Sequence, residues 1–168
     1  MDEIIKKQLI KFFCKYPLKR IKKGGIVARP GEKFAGIIFV KKGYLKAYTL
    51  SKDKRETTLP LFKPIFYFSL IAGMTGKETQ HYFEAISPAE IWIAPKKEFL
   101  KFLEENKVIK DGVMEAMLAE FVGMTADLGV LMANSAGGKV AGMLVALAEK
   151  FGHKNGVGRS EERRVGKE

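Results

Sequence analysis

Two residue types that often build chemical sites are scarce in this sequence. Its 168 residues include one cysteine, Cys14, and two histidines, His81 and His153. A single thiolate excludes an internal disulfide, a four-cysteine zinc site and an iron–sulfur cluster held by several cysteines of this chain. We therefore predict no metal site and no bound cofactor.

Long apolar runs and familiar catalytic signatures are also missing. The longest stretch without a charged side chain, residues 64–76, is too short to span a bilayer. The first residues, MDEIIKKQLIKFF, lack the small-residue cleavage site of a signal peptide. No nucleophile elbow, P-loop, dinucleotide fingerprint or HExxH pattern is present. We expect a cytoplasmic protein that is not an enzyme and has no membrane partner.

The residues that are plentiful indicate a folded, basic protein. Hydrophobic residues make up 46% of the chain and charged residues 29%, which provides enough apolar surface for a core. The formal net charge is +11. Such a balance attracts phosphates and nucleic acids, but lysine-rich surfaces are often only solubilising. Charge alone therefore leaves the partner open.

The first two thirds of the chain combine one helix with short strands. The spacing of Ile5, Leu9, Phe12 and Tyr16 predicts an amphipathic helix over residues 3–16, which Pro17 ends. Residues 18–95 show short β-rich runs separated by turns at RPGE (29–32) and KKGY (41–44) and by a polar loop at 51–56. This pattern predicts an antiparallel sandwich or barrel.

Helical periodicity returns after Pro95. A short helix, KKEFLKFLEEN, precedes a long one over residues 108–135. Six apolar residues of the long helix recur at alternating spacings of three and four, and we call them the seam: Met114, Met117, Phe121, Met124, Leu128 and Leu131. Such a stripe is typical of a helix packed lengthwise on a partner, although it can also pack on its own domain. A further apolar stripe, Val140, Leu144, Leu147 and Phe151, predicts another helix over residues 139–151.

This order of elements resembles the Crp/Fnr family of bacterial transcription regulators. The resemblance is carried by IKKGGIVARPGEKFAGIIFVKKGYLKAYTLSKDKRETTLPLFKP, by YFEAISPAEIWIAPKKEFLKFL and by KVAGMLVALAEKFG. It implies an α+β fold with an effector-sensing antiparallel jelly-roll barrel over residues 1–106. A dimerisation helix over 107–136, with the seam as the homodimer interface, and the start of a winged helix-turn-helix over 137–158 would come next.

The resemblance also raises the question of the effector. The cyclic-nucleotide branch of the family uses an arginine for the phosphate, but no arginine occurs between Arg55 and Arg159, so the usual mode of cyclic AMP binding is not expected. The oxygen-sensing branch needs several cysteines. Haem, with His81 or Cys14 as axial ligand, is the alternative to our prediction of no cofactor; we interpret His81 instead as a strand residue that alternates with apolar neighbours. Our candidate effector pocket is Phe66, Tyr67, Phe68, Leu70, Lys77, His81 and Tyr82; alternatively, these rings simply fill the barrel.

Two other functions remain as alternatives. A stand-alone ligand-binding barrel could regulate a partner protein without touching DNA. A cupin-type enzyme is weaker, because its metal needs several converging histidines and a carboxylate.

The last residues carry no recognisable element. Residues 159–168, RSEERRVGKE, match the translation of a common short-read sequencing adapter, so we interpret them as a non-native tail. On this interpretation most of the helix-turn-helix is missing. The full-length protein would contact DNA through that missing domain, and no DNA-reading residue is expected within this chain.

Overall fold

The computed structural model describes residues 2–67, 69–132, 135–155 and 158–160. The chain divides into two compact units, Met1–Ala116 and Met117–Glu168. The first contains an N-terminal helix, the strands of two sheets and two short helices, together with the beginning of a long helix. The second contains the rest of that helix, one further helix and two short strands.

The N-terminal helix, α1, spans Glu3–Phe13. Asp2 caps it, because its carboxylate accepts a hydrogen bond from the Ile4 backbone N–H at 2.8 Å. The predicted apolar face is buried through Ile5, Leu9 and Phe12. The helix ends at Phe13 rather than at residue 16, since the residue before a proline is driven out of helical conformation and the preceding residues form a turn.

Eight strands form two antiparallel four-stranded sheets. Their bounds are β1 Leu18–Ile21, β2 Ile26–Ala28, β3 Ile37–Lys42, β4 Leu45–Leu50, β5 Glu56–Phe62, β6 Phe66–Tyr67, β7 Tyr82–Ala85 and β8 Ala89–Ala94. One sheet has the order β1-β8-β3-β6 and the other β2-β7-β4-β5. A short helix, α2 (Leu70–Thr75), which the sequence pattern did not indicate, lies between β6 and β7 in the chain. The predicted antiparallel jelly-roll fold is confirmed.

The turn between β3 and β4 depends on Gly43. Its φ of 85° lies in the left-handed region, which glycine adopts without steric cost. A Cβ at this position would also lie 2.3 Å from the carbonyl oxygen of Pro88. The turn is therefore held close to the chain that enters β8, and both demands select glycine.

The barrel core consists of apolar side chains from both sheets. Ile38, Val40, Leu45 and Ile91 are buried in one cluster with Ile21, Ala85 and Ala89. In β4 and β7 the side chains alternate, so Ala47 and Phe83 belong to the core while Lys46 and Glu84 point to the opposite face. This alternation decides which side chains of the sheet reach the barrel interior.

Two helices come after the strands in the first unit. Helix α3 spans Lys96–Glu105, and the long helix α4 spans Lys107–Leu131. Phe99 of α3 is fully buried, and its ring lies 5.5 Å from that of Phe13. In the first turns of α4, the side chains of Ile109 and Val113 are buried. Both helices were expected from the sequence periodicity.

The second unit contains the remainder of α4 and a helix α5, Ala136–Phe151. Ser135 caps α5 by accepting a hydrogen bond from the Gly138 N–H at 3.0 Å, which explains why the helix begins before the predicted Lys139. A Cβ on Gly142 would lie 2.6 Å from Cγ1 of Val130, so α5 approaches the end of α4 closely there. Two short strands, β9 (His153–Asn155) and β10 (Gly158–Ser160), pair antiparallel. Residues 161–168 of the predicted non-native tail lie outside the described residues.

Within the part of the chain that the structure describes, no helix is long and apolar enough to cross a membrane.

Candidate functional site

Five aromatic rings of the barrel unit contact one another in a continuous series, and we call it the aromatic row. Its members in spatial order are Phe34, Phe83, Phe62, Phe66 and Tyr67. The centroids of successive rings lie 5.5, 5.9, 6.3 and 5.1 Å apart, within the range of direct aromatic contact. The row therefore joins β7, β5 and β6 by ring packing.

The row ends on helix α4. The Tyr67 hydroxyl donates a buried hydrogen bond to the backbone carbonyl of Val113 at 2.9 Å. Both Tyr67 and Val113 are 2% exposed. Because a buried hydroxyl without a partner is costly, this bond fixes where β6 lies on the first turns of α4.

The chain just before β6 is held in an unusual backbone conformation. Ile65 has a φ of 62°, which is a clear outlier for a β-branched residue. Its N–H donates to the carbonyl of Val40 at 2.7 Å. The bond to the neighbouring strand holds the outlier in place, between Phe62 on one side and Phe66 on the other.

The structure brings together only part of the predicted pocket. Phe66 and Tyr67 belong to the aromatic row, and Leu70 is buried at the start of α2. Lys77 is exposed in the loop after α2. Tyr82 stacks on Tyr48 at 5.0 Å, on the sheet face opposite to Phe83. Phe68 lies outside the described residues. The role of these residues as a pocket stays a prediction.

Three members of the row were not among the sequence candidates. Phe34, Phe62 and Phe83 lie on separate segments, and only the sheet topology brings their rings into contact. A period-two pattern in HYFEA was a usable signal, since it places Phe83 and Tyr82 on opposite faces of one strand. The pattern does not say which face is inward.

His81 lies next to β7 with one ring nitrogen in an unusual position. Among the described residues, its Nδ1 is a buried side-chain nitrogen without a hydrogen-bond partner. The backbone around it is firmly held: the Thr79 hydroxyl accepts from the His81 N–H at 3.1 Å, and the Thr79 N–H donates to the carbonyl of Glu32 at 2.9 Å. Buried polar atoms normally have a hydrogen-bond partner. This nitrogen could therefore form a hydrogen bond with a ligand.

Charged groups gather on the outer face of the β2-β7-β4-β5 sheet. Lys46 Nζ lies 2.6 Å from Glu56 Oε1 and 3.8 Å from Glu84 Oε2, and 4.6 Å above the ring of Tyr48. The hydrogen bond to Glu56 raises the pKa of Lys46 above its ordinary value, while burial raises the pKa of Tyr48. These paired charges stabilise the sheet on the face opposite to the row.

The seam is largely exposed in the single chain. Met114, Phe121, Met124 and Leu128 are between 47% and 66% exposed, and Met117 is half-buried. The side chain of Leu131 lies outside the described residues. Exposed apolar stripes of this size usually mark a surface that a partner covers. In α5, Val140 and Leu144 of the second predicted stripe are exposed as well, whereas Leu147 and Phe151 are half-buried.

The described residues offer little for a metal. They contain no group of three or more histidine, cysteine, aspartate and glutamate side chains placed to hold an ion. Cys14 is exposed just after α1, with its thiol 3.3 Å from the carbonyl of Lys11.

Comparison with known proteins agrees with this architecture. The cyclic nucleotide-binding domain family matches residues 18–106, and no curated protein sequence matches the chain. A transcriptional regulator from Thermotoga maritima is 19% identical with a TM-score of 0.65, covering 79% of this chain and 98% of that one. A structure described as a Crp/Fnr-family regulator from Eubacterium rectale is 22% identical, with a TM-score of 0.64 and coverages of 89% and 69%. OCPA-complexed CprK is 15% identical, with a TM-score of 0.68 and the same coverages.

The family resemblance seen in the sequence is thereby confirmed for the domain and the fold. The matched residues run from the first strand of the barrel to the residue before α4. Since they make up more than half of the 168 residues, the chain belongs to the cyclic nucleotide-binding domain family, with the fold of Crp/Fnr-type regulators.

Proposed function

We propose that this chain is the effector-sensing domain and dimerisation helix of a Crp/Fnr-type transcription regulator. The observation that carries the proposal is the exposed seam of α4, which begins one residue after the helix accepts the Tyr67 hydrogen bond from the barrel. A sensor must connect its binding domain to its output surface. Here helix α4 contacts the barrel at Val113 and also carries the exposed seam.

The effector is a small, mostly apolar or aromatic compound rather than a cyclic nucleotide bound in the usual way. A buried cyclic phosphate needs a paired cation, and residues 62–87 contain no arginine. Lys77, the candidate cation in place of that arginine, is exposed. The aromatic row would supply apolar contacts to such a compound, and His81 Nδ1 is a candidate for a polar contact. Among the similar structures, CprK was solved in complex with OCPA.

DNA reading would belong to a helix-turn-helix that α5 opens. Support comes from the neighbours, because the chain spans 69% of the Eubacterium rectale protein and of CprK. The exposed Val140 and Leu144 of α5 are the residues that such a domain would cover. Two such domains must lie about one DNA turn apart to read a palindrome, and a dimer helix sets that distance.

The seam provides the decisive test. In sedimentation velocity the chain is expected to be a dimer, and Phe121→Glu with Leu128→Glu should weaken the dimer by at least about 100-fold, because like charges would face each other in an apolar interface. The matched control carries Val122→Glu and Ala126→Glu, which add the same charge to exposed positions of α4 outside the seam; it should remain dimeric.

Two results would contradict the proposal. If the wild-type chain stays monomeric at high concentration, α4 is not a dimerisation helix. A double seam variant that remains as dimeric as the control assigns the interface to a different surface.

A further inference from the structure

The aromatic row forms a physical connection between the barrel sheet and helix α4. At one end, Phe34 and Phe83 pack at 5.5 Å in the cluster that contains Ala28 and Ala47. At the other end, the Tyr67 hydroxyl holds the Val113 carbonyl at 2.9 Å. Each ring contacts the next, so displacement of one ring must be accommodated by its neighbours, because protein interiors are close-packed.

The middle of the row lies beside the unusual backbone at Ile65. This residue separates Phe62 on β5 from Phe66 on β6 and has a φ of 62°. A β-branched residue in the left-handed region stores conformational strain, and such strain persists only where the surroundings hold it. The bond from Ile65 N–H to the Val40 carbonyl does so here. β6 is thus a two-residue strand with a strained backbone on one side and a helix contact on the other.

The helix contact is placed where it can influence the seam. Val113 is buried, whereas Met114, the next residue, is the first of the seam and is 53% exposed. A hydrogen bond on the Val113 carbonyl therefore acts on the helix turn that presents the seam. The neighbouring Gly112 approaches α1 closely, since a Cβ there would lie 2.0 Å from Cδ1 of Ile5. Tyr67 and α1 together set the position of this turn.

We propose that Tyr67 is the coupling residue of the protein: its hydroxyl transmits the packing of the aromatic row to helix α4 at the first seam position. The regulatory meaning of this coupling rests on the proposed function, because an effector would act by moving the rings. The physical step from row to helix needs no effector and can be measured in the chain alone.

The experiment disturbs the far end of the row and observes α4. Phe34→Leu removes a half-buried ring from that end, and amide hydrogen exchange is measured for α4 in the folded chain. Phe34→Leu should accelerate exchange at residues 113–121 by roughly two- to tenfold, the range expected for weakening one hydrogen bond. Tyr67→Phe should do the same, and the double variant should exchange no faster than Tyr67→Phe alone.

Tyr16→Phe is the matched control. It removes a different hydroxyl, which donates a hydrogen bond to Glu98 Oε2 at 2.6 Å. Tyr16 is not a member of the aromatic row. In that background Phe34→Leu should retain its whole effect on α4. If Phe34→Leu does not fold, Phe62→Leu serves in its place, because Phe62 is also half-buried.

The outcomes separate this inference from the proposed function. If Phe34→Leu leaves α4 exchange unchanged, or acts equally with and without the Tyr67 hydroxyl, the coupling is overturned even if sedimentation shows a dimer. If the effect disappears only in Tyr67→Phe, the coupling stands even for a chain that sediments as a monomer, in which case the dimer proposal is the one that fails.

Discussion

Phenylalanine side chains of the barrel and of α4 lie in opposite environments: Phe39 is 0% exposed, whereas Phe121 is 66% exposed. Ile37 and Leu45 of the barrel are equally buried, while Leu128 and Leu144 of the second unit are more than half exposed. The difference shows that apolar content does not itself make a core. The barrel buries its apolar residues within one unit, whereas many of those described in the second unit are exposed in the single chain.

Geometry explains the difference. Two sheets surround the barrel core, so a strand residue on the inner face, such as Leu45, is covered by its own unit. Phe39 lies on the other face of β3, where Phe13 of α1 covers it within the same unit. A single helix presents apolar residues along a stripe, and a stripe is covered only by a second element of similar length. α4 has 25 residues and α5 has 16, so α4 extends beyond what α5 can cover.

The largest expected effect comes from truncating the same residue type in each region. Phe39→Ala should lower the free energy of unfolding by about 3–5 kcal/mol, because it leaves a cavity. Phe121→Ala should change it by about 0.5 kcal/mol or less in dilute monomer, while weakening the proposed dimer. Urea unfolding at low protein concentration checks both. Equal losses for the two variants would mean that Phe121 is covered within its own chain.

Glycine substitutions sharpen the same comparison. Gly43→Ala should cost about 2–5 kcal/mol, because left-handed backbone strain adds to a clash with Pro88. Gly31→Ala has the same strain but open space, so it should cost only about 1–2 kcal/mol. Gly123→Ala, in open space within α4, should stabilise the helix by about 1 kcal/mol. Thermal unfolding of the three variants gives the order, and a destabilising Gly123→Ala would contradict an open surface there.

Ser69 in the barrel unit and Ser135 at the start of α5 allow the same comparison, with a smaller expected loss of stability. In the barrel, the Ser69 hydroxyl accepts from the Ile38 N–H at 2.8 Å and donates to the Gly36 carbonyl at 3.1 Å while fully buried. Ser69→Ala should cost about 1–3 kcal/mol, and Ser135→Ala, which removes the exposed cap of α5, about 1 kcal/mol. Chemical denaturation followed by circular dichroism measures both. A larger loss for Ser135 would show that α5 stabilises the chain more than its exposure suggests.

The last expected effect appears only at alkaline pH and comes from Tyr16 in the barrel unit. Burial, with the hydrogen bond to Glu98, raises the pKa of Tyr16 to about 12, against about 10 in an unfolded chain. The folded state therefore binds more protons between these values, and stability is lost as the pH rises from about 10 to 12. Tyr16→Phe should make this loss shallower in unfolding curves. An unchanged alkaline limb would show that Tyr16 titrates normally.

Much of the fold could be predicted because its signals are local. The turns at Gly31 and Gly43, the stop before Pro17 and the periodicity of α4 each depend on a few neighbouring residues, and the structure contains all of them. Helix α2 was missed, because LIAGMT is a short apolar run whose type periodicity alone cannot decide. The ends of α1 and α5 differed by a few residues, where a turn and a cap decided the boundary.

The candidate site was harder to predict, since its rings come from distant segments. The pocket candidates were chosen within residues 66–82, yet the row also takes Phe34 and Phe62 from other segments. Tyr82 and Phe83 are adjacent in the sequence, and the sheet sends only Phe83 into the core. No local pattern reports which face of a strand will meet the second sheet.

The sequence by itself determined the main order of elements without α2, the turns, the absence of a phosphate-binding arginine and the apolar stripe of α4, because each is encoded in residue type and spacing along the chain. Only the tertiary structure decided that five rings form one row, that this row ends on the Val113 carbonyl and that the stripe of α4 stays exposed. These depend on how sheets and helices pack, and packing joins residues whose distance along the chain carries no information about their contact.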